Sequence, residues 1–164
     1  MMARMNGVLA LQIGMELEST GQVFYELAAS SCPRQLTQIE TLLVRLAKDE
    51  EDHYRTFEDL LAKHLAQAGQ CVPSLSDETK QEIQQLIRER IVPDPAAAMA
   101  TARKGDMLAV LDLAIELERR TREFYTENLP PATDEADLAV VQKILDEEKQ
   151  HEQDLKDTRR SVSA

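Results

Sequence analysis

The chain repeats itself at an offset of about one hundred residues, and what repeats is charge set where a helix needs apolar side chains. The first half carries Glu16-Leu17-Glu18, then Phe24-Tyr25, then Glu50-Glu51-Asp52-His53. The second carries Glu116-Leu117-Glu118, then Phe124-Tyr125, then Glu148-Lys149-Gln150-His151. Around both sets the pattern recurs at three- and four-residue steps, the period of an amphipathic α-helix. Leu11, Met15, Glu18, Gln22 and Tyr25 trace one face, and Leu111, Ile115, Glu118, Arg122 and Tyr125 trace its copy. A second stripe reads Ile39, Leu43, Leu46, Glu50, His53, Phe57 and Leu60; its counterpart reads Leu138, Val141, Leu145, Glu148, His151 and Leu155. Four long helices with two equivalent halves predict two helical hairpins related by a pseudo-twofold axis.

Punctuation along the chain sets the boundaries. Helix 1 is expected over residues 6–31, ended by Cys32-Pro33, because proline disfavours helical geometry in the residue before it. Helix 2 is expected over 34–68 with Gly69 as its stop. Residues 70–104 form a crossover long enough to carry the chain back across the bundle. Within it, Ser76 is placed to cap a short helix reaching about Arg90 through Ile83, Leu86 and Ile87; Pro93-Asp94-Pro95 reads as a turn before another brief helix. Asp106 opens helix 3, over 106–128, which Leu129-Pro130-Pro131 breaks; helix 4 is expected over 134–159, with Ser161 to Ala164 frayed. The expected fold is therefore all-α, one domain over 1–164.

Composition agrees and narrows the partners. The chain is 43% apolar but only 4% aromatic, without tryptophan, which suits helices packed through aliphatic side chains. With 30 acidic against 19 basic residues the net charge is −11, so polyphosphate is repelled and a nucleic-acid partner is not expected. No stretch reaches the roughly 20 apolar residues of a membrane span, and the short apolar run near the N-terminus meets Glu16 and Glu18 too soon for a signal peptide. A cytoplasmic protein with reduced thiols follows. Cys32 and Cys71 stand alone, in no Cys-x-x-Cys pattern, which excludes a structural zinc or a rubredoxin-type iron from this chain.

Burying an unpaired carboxylate costs several kcal/mol, yet all four long helices place one at mid-length on the inward stripe. Glu50 and His53, like Glu148 and His151, are three apart and leave the same side of one turn, so each pair can grip one metal ion. Four carboxylates and two imidazoles match the ligand needs of two iron or manganese ions, whose charge offsets that of the carboxylates. Without metal, the cluster raises its own pKa values and holds protons. Glu16, Glu51, Asp52, Glu116 and Glu147 fall off the stripe and are expected in solvent. Tyr25 and Tyr125, two turns beyond Glu18 and Glu118, are the candidate catalytic residues beyond the ligands: each is placed to hydrogen-bond a ligand carboxylate or to shuttle an electron, with a core tyrosine as the equal alternative. Phe24 and Phe124 read as packing, and His64, three turns past His53, as a rim histidine, with an entry ligand as the alternative.

These residues resemble the ferritin-like di-iron carboxylate superfamily, in its rubrerythrin-type branch, over roughly Asn6 to Arg160. That superfamily takes one Glu from each of two helices and Glu-x-x-His from each of the other two. The resemblance implies Glu18, Glu50 and His53 at one iron and Glu118, Glu148 and His151 at the other. Glu50 and Glu148 then bridge the metals, and Glu18 and Glu118 are terminal. Two departures stand out. Rubrerythrins proper append a rubredoxin domain that delivers electrons, whereas reductant here must come from a separate donor. They also place an extra glutamate one turn after the terminal one in the third helix. Thr121 stands there, and Gly21 at its counterpart, so small residues leave room for a ligand or a water.

The function so implied is a di-iron oxidoreductase that reduces H₂O₂ or O₂ while oxidising Fe²⁺, a peroxidase or ferroxidase. Manganese or a mixed pair suits the same ligands. A non-catalytic iron-handling protein is the alternative, and relatives of this type suggest a homodimer.

Overall fold

The computed structural model describes residues 7–67, 69, 77–90, 100–101, 103–129, 135 and 137–163. They form α1 (Gly7–Ser30), α2 (Thr37–Gln67), α3 (Asp77–Arg90), α4 (Met107–Asn128) and α5 (Leu138–Ser163), with no strand among them. A helical turn, closed by Lys104 N–H donating to Ala100 O, precedes α4. The Ser76 cap, the side chain of Leu86, the Pro93-Asp94-Pro95 turn and Cys71 lie outside the described residues.

The order of cross-helix contacts gives the topology. Asp112 pairs with Arg159 and Arg122 with Glu152, so α4 and α5 form an antiparallel hairpin. Gln38 meets Ser161, Arg45 meets Asp154 and Lys63 meets Asp137, so α2 runs antiparallel to α5. Tyr25 reaches Glu118 and Tyr125 reaches Glu18, so α1 runs antiparallel to α4. Between them lies a core of Leu43, Leu46, Phe57, Leu65, Val110, Leu111, Ile144 and Leu155, each 0–2% exposed. Ile83 and Ile87 of α3 are also buried, and Gln84 of that helix reaches Glu16 of α1 at 3.5 Å.

The ends differ in places from the sequence expectation, each for a local reason. Helix 2 begins at Thr37 rather than 34 because Leu36 N–H donates to Pro33 O, making a turn whose Leu36 carbonyl then accepts from Ile39 and Glu40. Helix 4 of the sequence reading begins at Leu138, after Asp137 O accepts from Val140 and Val141 N–H. It runs on through Ser163 rather than fraying after 159, since Ser161 and Ser163 hydroxyls bond back to Thr158 and Arg159 carbonyls. Asp106 caps α4 as expected, its side chain accepting from Ala109 N–H at 3.1 Å just after Gly105 turns the chain at φ +73°.

The stripes also shift slightly. Met15, Gln22, Ile115 and Arg122 lie at the flank of their helices, and the deepest positions are Leu17, Gly21, Leu117 and Thr121 beside the glutamates. In α5, Ile144 rather than Leu145 fills the core, and Leu138 is exposed at the helix start.

Candidate metal centre

Each long helix delivers its charged residues to one depth of the bundle. Glu18 of α1, Glu50 and His53 of α2, Glu118 of α4, and Glu148 and His151 of α5 are all at most 4% exposed. Two overlapping groups result: Glu18, Glu50, His53 and Glu148 offer ligand atoms within 4.8 Å of one another, and so do Glu50, Glu118, Glu148 and His151. Glu50 and Glu148 belong to both. The six residues singled out from the sequence are thus brought together as two four-residue groups with two shared carboxylates.

The histidine rings are oriented alike. His53 Nδ1 faces inward, 2.9 Å from Glu148 Oε1 and 3.5 Å from Glu18 Oε2; His151 Nδ1 faces Glu50 Oε1 and Glu118 Oε2, each at 3.9 Å. Both Nδ1 atoms, both Glu148 oxygens and Glu18 Oε2 are buried without a hydrogen-bond partner. Native interiors rarely tolerate so many orphaned polar atoms at one spot. A cation at each group satisfies them, and carboxylate oxygens with imidazole nitrogens are donors that suit iron, manganese or zinc.

The bundle meets the sequence profile of the Rubrerythrin family along residues 10–158. The chain belongs to that family. No curated protein and no solved structure matches the chain significantly. Membership of the rubrerythrin family makes the fold a ferritin-like bundle and implies a metal site, and the buried carboxylate–histidine cluster offers groups that could hold one.

Two tyrosines lock this rubrerythrin-type cluster crosswise. Tyr25 of α1 donates its hydroxyl to Glu118 of α4, while Tyr125 of α4 donates to Glu18 of α1 and lies 3.3 Å from Gly14 O. Both rings are fully buried. Burial, then the facing glutamate charges, push both phenols well above their usual value, so they stay protonated donors. Phe24 and Phe124 pack edge-on against these tyrosines.

The cluster distributes its protons unevenly. Burial raises Glu50, Glu118 and Glu148 above the usual carboxylate range, and the charge of neighbouring glutamates adds to it. Burial also pushes Glu18 up, but Glu50, His53 and Tyr125 outweigh it and hold Glu18 low. For His53, burial opposes the charge, yet Glu148 and Glu18 overcome it and lift the imidazolium to about 11. Metal-free, Glu50, Glu118, Glu148 and His53 thus bind protons more tightly than usual, while Glu18 departs from the rise expected of the whole cluster.

Several expectations change. Glu147 is not simply solvated: its carboxylate touches His53 Nε2 at 3.2 Å. Asp49, which the stripes gave no reason to single out, touches His151 Nε2 at 3.3 Å. A signal existed, since Asp49 and Glu147 occupy equivalent positions one residue before each shared glutamate. Glu16, Glu51, Asp52 and Glu116 do lie off the inward face; Glu51 and Asp52 pair with Lys48, and Arg119 with Arg120 pulls Glu116 down to about 2. The room at Gly21 is filled by Glu50 rather than by solvent: a Cβ there meets the Glu50 carboxylate at 3.2 Å. His64 belongs to neither group, and eleven residues of helix put it about 16 Å along α2 from His53.

Proposed function

We propose that this chain is a di-iron oxidoreductase that reduces peroxide or dioxygen as Fe²⁺ is oxidised, drawing electrons from a separate donor. The observation that carries the reading is the pair of overlapping groups that share Glu50 and Glu148, with both histidine Nδ1 atoms turned toward the carboxylates of their group. Glu18, Glu50 and His53 would hold one ion and Glu118, Glu148 and His151 the other, with Glu50 and Glu148 common to both groups. When bound, two ferrous ions supply the two electrons that peroxide, with two protons, needs to become two waters.

The residues of the chain do the rest. Shared carboxylates hold both positions at one separation and tolerate a change of charge by rotating. Tyr25 and Tyr125 fix the terminal carboxylates Glu118 and Glu18 by their hydroxyl protons. The apolar walls above and below, Leu17, Leu117, Leu46 and Ile144, exclude bulk water and so strengthen each electrostatic contact inside.

Anaerobic loading with Fe²⁺, desalting and iron analysis, followed by an H₂O₂ or an O₂ pulse on the same sample, tests this reading. About two irons per chain, oxidised by the pulse far faster than free Fe²⁺, is the expected outcome. Two bound irons that respond to neither oxidant favour an iron-handling role instead. Iron near zero with the helices intact removes the metal-centre reading altogether.

A further inference from the structure

Gly21 stands three residues past Glu18 on the buried face of α1, where glycine weakens a helix relative to alanine. Its backbone gives no reason for it, since among the described residues positive φ occurs only at Gly69 and Gly105. The reason lies across the interface with α2. A Cβ at Gly21 would stand 3.2 Å from both Cδ and Oε2 of Glu50 and 3.5 Å from its Cγ. The two oxygens of Glu50 thus face different ways: Oε2 lies against α1 at Gly21, one turn past Glu18, while Oε1 faces His151 Nδ1 at 3.9 Å. The other half of the repeat lacks this opening. Thr121 holds the equivalent place one turn past Glu118, and it is buried with a full side chain.

We infer that Gly21 is a positioning residue for Glu50: the side chain missing from α1 is the space that lets this carboxylate belong to both groups. The inference rests on the metal centre proposed above. Carbon atoms in contact prefer about 3.5–4.0 Å, so a methyl at Gly21 drives the carboxylate back by about 0.3 Å or more. Ligand distances at a metal site tolerate only about 0.2 Å. Nor is there open water to retreat into, because Glu50 is 4% exposed and Glu18, Glu148 and Glu118 are its charged neighbours. The oxygen displaced first is Oε2, on the α1 side, so the ion held with Glu18 and His53 is the one that depends on Gly21. The rival role is packing alone, as at Gly14, where a Cβ would meet the Phe57 ring at 3.3 Å.

Mn²⁺ is the probe, because the ligand set suits it and its electron paramagnetic resonance both counts bound ions and tells a spin-coupled pair from isolated ones. In the full-length chain about two Mn²⁺ bind, and the low-temperature spectrum is that of a coupled pair. Gly21→Ala folds, since alanine favours the helix, but it weakens one of the two binding steps about 10–100-fold and replaces the coupled signal by that of an isolated ion. Packing alone would move the urea midpoint and leave that signal as it is. Thr121→Ala, which adds no atom on the α4 side, keeps both ions and their coupling. Both ions coupled in Gly21→Ala, with affinities within about twofold of the parent, overturn the positioning role and leave the metal centre standing. An equal loss in Thr121→Ala overturns it as well. If Gly21→Ala fails to fold, adding Glu50→Asp, a methylene shorter, restores the helices where the Glu50 carboxylate is what the new methyl meets; a double variant that stays unfolded overturns the inference. No Mn²⁺ binding by the parent overturns it together with the metal centre.

Discussion

The crossed tyrosines look equivalent by symmetry, yet the charge around them is not, and removing each hydroxyl in turn exposes the difference. Tyr125→Phe deletes the donor to Glu18, and Tyr25→Phe deletes the donor to Glu118. Both rings are 0% exposed, so phenylalanine fills either slot without a cavity and the hydroxyl alone is lost. In the metal-free protein Glu18 is held low, with His53 Nδ1 3.5 Å away, and is therefore the ionised acceptor. Glu118 is pushed well up by burial and by Glu148, and its imidazole neighbour stands off at 3.9 Å, so it holds a proton more readily than Glu18 does. A hydrogen bond to a charged acceptor is worth about 1.5–3 kcal/mol net, against about 0.5–1.5 for a neutral one. Tyr125→Phe should therefore cost about 1 kcal/mol more than Tyr25→Phe in the metal-free chain. Urea unfolding followed by circular dichroism reads this directly. At a slope near 2 kcal/mol per molar, a loss of about 2 kcal/mol moves the midpoint by about 1 M. Loading with Zn²⁺ ionises both carboxylates, and the gap between the variants should then close. Equal costs in the metal-free protein, or a larger cost for Tyr25→Phe, would refute this assignment of the protons.

Three further outcomes are expected. Glu50→Ala and Glu148→Ala each remove a shared carboxylate and should abolish binding of both ions by iron analysis, whereas Glu51→Ala should bind as the parent does. The raised carboxyls and His53 bind protons more tightly folded than unfolded, so their stabilisation is complete at low pH. It is lost as pH climbs above 4.5 for Glu50, Glu118 and Glu148, and from 6.5 to about 11 for His53; within the cluster Glu18 acts in the opposite sense, as does Glu116 outside it, and both contributions are complete above pH 4.5. The urea midpoint of the metal-free chain should accordingly fall between about pH 5 and pH 9, while Zn²⁺ affinity rises over the same range and calorimetry records proton release; a midpoint rising with pH would contradict it. Phe57→Ala should cost about 3–5 kcal/mol by the same urea assay, because the ring is fully buried against Tyr125 at 5.3 Å and fills the space over Gly14.

The helices and the six inward residues were legible because a charge on an apolar stripe is costly, and its repetition in two halves leaves a metal as the economical explanation. Period alone located the glutamates but not the centre of each stripe. Leu17 and Leu117 are deeper than Met15 and Ile115 because two neighbouring helices, not one, bury α1 and α4. Helix ends depended on single backbone bonds, such as Leu36 to Pro33 and the hydroxyls of Ser161 and Ser163, which no periodicity encodes. Glu147 and Asp49 were missed for a different reason. Sequence spacing says which side of its own helix a residue occupies, but not which side chain of another helix it will meet. Both are half open to water, so their position alone resembles that of any solvated acid.

The two crossed pairs also explain why neither half of the repeat can lose its charges quietly. Tyr25 with Glu118 and Tyr125 with Glu18 join α1 to α4; Glu147 with His53 and Asp49 with His151 join α2 to α5. Every one of these contacts runs between hairpins, not within one. The outer seam adds Arg45 with Asp154 and Lys63 with Asp137, pairs exposed enough to contribute little. Apolar packing therefore makes each hairpin and the core between them, while the polar cluster sets how the hairpins register at the level of the site. A purely apolar replacement of the six residues is expected to pack as well or better, since buried ion clusters are seldom stabilising in themselves. What it loses is the single registration that points two imidazole nitrogens and four carboxylates at the same pair of cations.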